Sequence, residues 1–70
     1  METIKLRDEY IKLGQALKAA GLVSSGVEAK IVIQDGLVKV NGSKEIQRGK
    51  KLYDGDIVLF EGHSIKIIKE

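Results

Sequence analysis

The chain has 70 residues, enough for one domain and too few for two. It contains no cysteine and one histidine, which excludes a disulfide framework and a Cys/His zinc site, and its 43% hydrophobic content excludes wholesale disorder. The net charge of +2 is too small to announce a polyanion binder by itself. No apolar run approaches the length of a membrane span or of a signal-peptide core, so the cytoplasm is the expected location. A deep substrate cleft is hard to build at this size, which counts against an enzyme.

Glu2 to Arg7 alternates polar and apolar residues, with Ile4 and Leu6 on one side, and predicts a short strand. Leu13, Ala16, Leu17 and Ala20 fall at i, i+3, i+4 and i+7 and predict a helix, with Gly21 as its left-handed C-terminal stop. Gly14 in the first turn weakens this helix by about 1 kcal/mol relative to alanine. Ser25 followed by Glu28 predicts the start of a second helix through a capping box, in which each side chain accepts the other's backbone N–H. Ala29, Val32 and Ile33 form its core stripe, and Gly36 ends it. Val27 and Ile31 make a second, smaller apolar stripe on nearly the opposite side, which another part of the domain or a partner must cover.

From Leu37 onward the period changes to two. Leu37 to Val40 predicts a strand, Asn41-Gly42 a type I′ turn, and Ser43 to Gln47 the return strand. Arg48-Gly49 reads as a bulge or loop, Asp54-Gly55 as a turn, and Ile57 to Phe60 as a buried strand. Glu61-Gly62-His63 turns the chain again, and Ser64 to Lys69 alternates with Ile65 and Ile67 on one face. The expected architecture is one α+β domain over residues 1–70. Two helices pack on a small, mostly antiparallel sheet in the order β-α-α-β-β-β-β.

Charge is unevenly placed. Lys39, Lys44, Arg48, Lys50 and Lys51 face only Glu45 within one thirteen-residue window. Such a window either focuses a positive potential for a partner or is a solvated hairpin with a lysine excess. Little else in the chain carries chemistry. His63 stands alone in a turn, and no serine has a base and an orienting partner. Asp54 and Asp56 read as turn chemistry rather than a cation site. The Gly42–Lys51 stretch is no P-loop, since Lys51 stands at the Ser/Thr position. Tyr10, Tyr53 and Phe60 are too few and too scattered to predict a base-stacking platform, and Phe60 reads as core. No catalytic residue, metal or cofactor is expected.

Residues 12–60 carry an ordered set of short signatures. They are Gly-Leu-Val-Ser-Ser at the second helix start, then Glu-Ala-Lys, an apolar pair, Gly36, Val-Lys-Val-Asn-Gly, and Gly55-Asp56 before an apolar strand. In this combination the segment resembles the αL-motif RNA-binding domain, named after ribosomal small-subunit protein S-four. Phe60-Glu61-Gly62-His63-Ser64 and the short length resemble more specifically the stand-alone YbcJ-like bacterial subfamily. The resemblance implies RNA binding by the two helices and the following hairpin. Carried over by position, it implies Lys12 on the first helix, and Ser25, Gly26 and Lys30 on the second. It also implies Lys39, Asn41, Gly42 and Lys44 on the hairpin, with the basic loop Arg48, Lys50 and Lys51 completing the surface. Two departures weaken the helical part. Many members carry two arginines where Gly26 and Val27 stand, and Glu28 places a carboxylate where a phosphate would approach the helix N-terminus.

The expected function is non-catalytic recognition of structured RNA, ribosomal RNA or another folded RNA. No cofactor, membrane or small-molecule substrate is expected. Scarce aromatics point to recognition of shape and backbone. The alternative is a protein-interaction or accessory module that uses Val27 and Ile31 as an apolar patch.

Overall fold

Short apolar alternations separated by glycine turns produce short strands, and in a computed structural model describing residues 1–70 there are seven of them. β1 (Glu2–Leu6) and β2 (Ile11–Lys12) precede α1 (Leu13–Ala19) and α2 (Gly26–Gln34). β3 (Val38–Val40), β4 (Ser43–Lys44), β5 (Lys51–Leu52), β6 (Ile57–Phe60) and β7 (His63–Lys69) follow. No helix is long and apolar enough to cross a membrane. A five-stranded sheet has the order β1-β7-β6-β3-β4, and β2 pairs with β5 in a separate two-stranded ladder. All pairings are antiparallel except β1 with β7, which runs parallel from Glu2↔Ile65 to Leu6↔Lys69. The expected class, two helices on a mostly antiparallel sheet, is the one found.

The core follows the predicted stripes. Leu13, Ala16 and Leu17 of α1 and Ala29 and Ile33 of α2 meet Val38, Val58, Phe60, Ile65 and Ile67 of the sheet, all buried. Each Leu, Ile, Val or Phe side chain among them contributes roughly 1.5–3 kcal/mol on burial. No polar or charged residue is buried. Both predicted helix stops carry positive φ, Gly21 at +75° and Gly36 at +76°. Asn41 (φ 52°) and Gly42 (φ 85°) form the expected hairpin turn, and Glu61 (φ 50°) with Gly62 (φ 79°) repeats that geometry between β6 and β7.

Several expectations change in detail. The capping box of α2 is split. Ser25 Oγ accepts from Glu28 N–H at 3.1 Å, but the Glu28 carboxylate accepts from Ser24 instead, at 2.6 Å from its N–H and 3.1 Å from its hydroxyl. The return strand stops at Lys44 rather than Gln47. The Glu45 carboxylate accepts the Gln47 N–H at 3.2 Å and turns the chain out of the ladder. β6 is buried on one face only, since Ile57 and Leu59 face outward. The β2–β5 ladder has no counterpart in the expected order. Val27 and Ile31 are covered by nothing in the chain, at 70% and 54% exposure.

Candidate nucleic-acid interface

The basic loop is rigidly seated. The N–H groups that open α1 have no partner within their own helix, and the loop's carbonyls supply one: Leu13 N–H donates to Lys50 O at 2.8 Å and Gly14 N–H to Arg48 O at 3.0 Å. Gly14 packs closely on this loop: a Cβ there would stand in ordinary van der Waals contact with Arg48 O at 3.6 Å and the Arg48 Cβ at 3.7 Å. A turn closed by Lys50 N–H to Gln47 O at 3.1 Å completes the loop. The backbone of residues 48–50 thus has a structural task, while the side chains of Arg48, Lys50 and Lys51 remain exposed.

Between this loop and the starts of both helices lies a polar cleft of about 280 Å³. Lys12, Gln15, Gly14, Gly26, Arg48 and Gly49 line it, with no apolar side chain among them. Three of the residues singled out from sequence, Lys12, Gly26 and Arg48, therefore converge from three separate segments. Gly26 and Gly49 are informative because the fold gives no reason for glycine at either. Neither has a positive φ, and an added Cβ would meet nothing within 4 Å. Glycine there leaves the cleft without a side chain at these two positions. Ser25 is intermediate in exposure and serves as the α2 cap, and Lys30 sits one helical turn beyond Gly26 on the solvent side.

Lysines face one another across both short ladders. Lys12 stands opposite Lys51 in β2–β5, and Lys39 opposite Lys44 in β3–β4. Like charges directly opposite on a sheet destabilise it. None of these four, nor Lys30, Arg48 or Lys50, has a carboxylate within ion-pair distance; the chain's two ion pairs use Lys5 and Lys69. The Lys44 stem lies across the α2–β3 turn, its Cδ 3.0 Å from where a Cβ on Gly36 would stand.

The hairpin tip differs. The Asn41 amide makes two hydrogen bonds inside the chain: its Nδ2 donates to Asp56 at 3.0 Å and its Oδ1 accepts Ile57 N–H at 2.9 Å. What stays open at this turn is the Gly42 backbone, beside which a Cβ would meet nothing. Asp56 also accepts Tyr53 N–H at 2.7 Å, the expected turn chemistry, while Asp54 accepts Lys69 N–H at 2.8 Å and ties this turn to β7. No three His, Asp or Glu side chains stand together as a metal site would need.

The sequence reading missed one grouping. Tyr10 and Tyr53 are not scattered: their ring centroids are 6.0 Å apart, and Lys51 Nζ lies 4.8 Å above the Tyr10 ring. The signal was the β2–β5 pairing, and two-residue strands leave no periodicity to read.

Comparison with known proteins supplies the family. The S4 domain model matches residues 4–68. YbcJ of Escherichia coli K12, a proposed RNA-binding protein, is 38% identical over 69 residues, covering 97% of this chain and 99% of its own. A proposed ribosome maturation protein of Bacillus subtilis 168, RlbA, is 44% identical over 59 residues, covering 84% of this chain and 83% of its own. The solution structure of E. coli YbcJ, described as revealing an αL motif involved in RNA binding, superposes with a TM-score of 0.74 over 97% of this chain and 87% of that one. With its fold and nearly its whole length matched, the chain belongs to the S4 domain family, among the small YbcJ-like proteins.

Proposed function

We propose that the chain binds structured RNA through its polar cleft and its two lysine ladders, without catalysing a reaction. The observation that carries this reading is the lysine-against-lysine register of β2–β5 and β3–β4, left without carboxylates, together with a cleft whose Gly26 and Gly49 the fold does not require. An RNA backbone relieves that repulsion and releases counterions as it binds. Lys12 and Arg48 neutralise a phosphate in the cleft, and Gly26 and Gly49 let it approach the backbone. Lys30, Lys39, Lys44, Lys50 and Lys51 extend the contact. Gly42 offers a close backbone approach at the hairpin tip. Asn41 and Ser25 serve mainly by shaping their turn and cap. Ribosomal RNA is the target class favoured by the ribosome maturation role proposed for the Bacillus subtilis relative.

Anisotropy titrations with a ribosomal RNA hairpin and a matched DNA duplex, at two salt concentrations, test the reading. RNA-preferring, salt-sensitive binding is expected, and it is lost in the Lys50→Glu, Lys51→Glu chain while the thermal melt is retained. Unchanged affinity in that variant overturns the placement of the surface. A second reading stands on the exposure of Val27 and Ile31, which fits a docking patch for a protein partner. Co-purification that depends on both side chains, with no RNA affinity at low salt, favours it.

A further inference from the structure

Resting on the RNA-binding reading, we propose that Tyr10 and Tyr53 form a stacking seat for one unpaired base of the bound RNA. A chain this short needs its large side chains inside, yet of its three aromatics only Phe60 joins the core. The other two lie on the surface together, at 36% and 45% exposure. Their meeting follows from register. β2 and β5 pair Ile11 with Leu52 and Lys12 with Lys51, and one step further along the same antiparallel ladder brings Tyr10 opposite Tyr53. Because side chains alternate across a strand, the inner face presents Ile11 and Leu52 to the core. The outer face presents Tyr10, Lys12, Lys51 and Tyr53.

That outer face is half aromatic and half cationic, the combination that holds a nucleotide by its base and its phosphate at once. The rings are inclined at 51°, so they do not stack on each other, and Lys51 Nζ sits over Tyr10 alone. The seat is continuous with the phosphate cleft. Lys12 belongs to both, and Gln15 lines both that cleft and an open groove of about 420 Å³ walled by Tyr10, Ile11 and Arg7. A strand with one phosphate beside Lys12 and Arg48 carries its neighbouring nucleotide over the tyrosines. A fully paired duplex offers no free base face there, so the seat selects RNA with an extruded or looped-out nucleotide.

The experiment uses two RNA hairpins, one fully paired and one bearing a single bulged 2-aminopurine. The chain has two tyrosines and no tryptophan, so its intrinsic emission reports on this pair alone. The bulged RNA is expected to bind about tenfold more tightly, the scale of one stacked base, and to show quenching of both tyrosine and 2-aminopurine emission. Tyr10→Leu with Tyr53→Leu removes the preference and the quenching but leaves the paired-RNA affinity and salt slope. Tyr10→Phe with Tyr53→Phe keeps the preference. Equal binding of the two RNAs by the wild-type chain with unchanged emission overturns this inference alone, as does a preference that survives in the leucine variant. No binding of either RNA at low salt overturns the proposed function as well. The wild-type comparison decides the matter even if the leucine variant fails to fold.

Discussion

Lysine is deployed in opposite ways in two regions of this molecule. Around β1 and β7 it is balanced: Lys5 Nζ lies 4.0 Å from Glu70 and Lys69 Nζ 3.6 Å from Glu9. On the two short ladders it is unbalanced, with Lys12 against Lys51 and Lys39 against Lys44. The total charge is nearly neutral, so the chain has carboxylates enough to compensate both regions and compensates one. The RNA surface proposed above rests on this local imbalance rather than on net charge.

The largest test of this contrast acts from beneath it. Leu52 is wholly buried under the β2–β5 ladder, and Leu52→Ala should cost about 2–5 kcal/mol through the cavity it leaves. That matches the net stability on the order of 3–5 kcal/mol expected of so small a core, so thermal melts should show the whole fold lost rather than the cleft alone. Next comes Asn41→Ala, which removes two hydrogen bonds between turns and forces a positive φ on alanine. It should cost about 2 kcal/mol, while folded protein at low temperature keeps its RNA affinity. Lys39→Glu sharpens the contrast. Creating an opposite-charge pair with Lys44 should raise stability by about 0.2–1 kcal/mol and weaken RNA binding, an inverse relation that calorimetry and anisotropy together would read. Gly26→Ala should behave alike, stabilising α2 by about 0.5 kcal/mol and obstructing the cleft. Lys69→Glu, in the balanced region, should change stability by less than about 1 kcal/mol and leave affinity untouched.

Much of the fold was legible in the residues themselves. The stripes of both helices, the Ser25 cap, the Asn41-Gly42 turn and the inward face of β7 rest on local chemistry, and the structure realises each. What local chemistry cannot carry is pairing between distant segments. The β2–β5 ladder, the parallel β1–β7 pair and the meeting of the two tyrosines all depend on it. Glu28 shows a subtler gap: the motif names the box, but which of two adjacent serines answers the carboxylate is decided by the path of the preceding chain. For the cleft, sequence and family resemblance nominated Lys12, Gly26 and Arg48 one by one. Their convergence, and the absence of any internal reason for Gly26 and Gly49, is visible only in three dimensions.

The parallel pairing of Glu2 with Ile65 has a consequence for synthesis. The first strand has no sheet partner until the last has left the ribosome, several seconds later at about 5–20 residues per second. Until then Ile4 and Leu6 have no β7 to lie beside, whereas the helix pair and the β3–β4 hairpin already have theirs. Closure of β1 is therefore a late step that waits on β7, after the helix pair and the hairpin can already have formed.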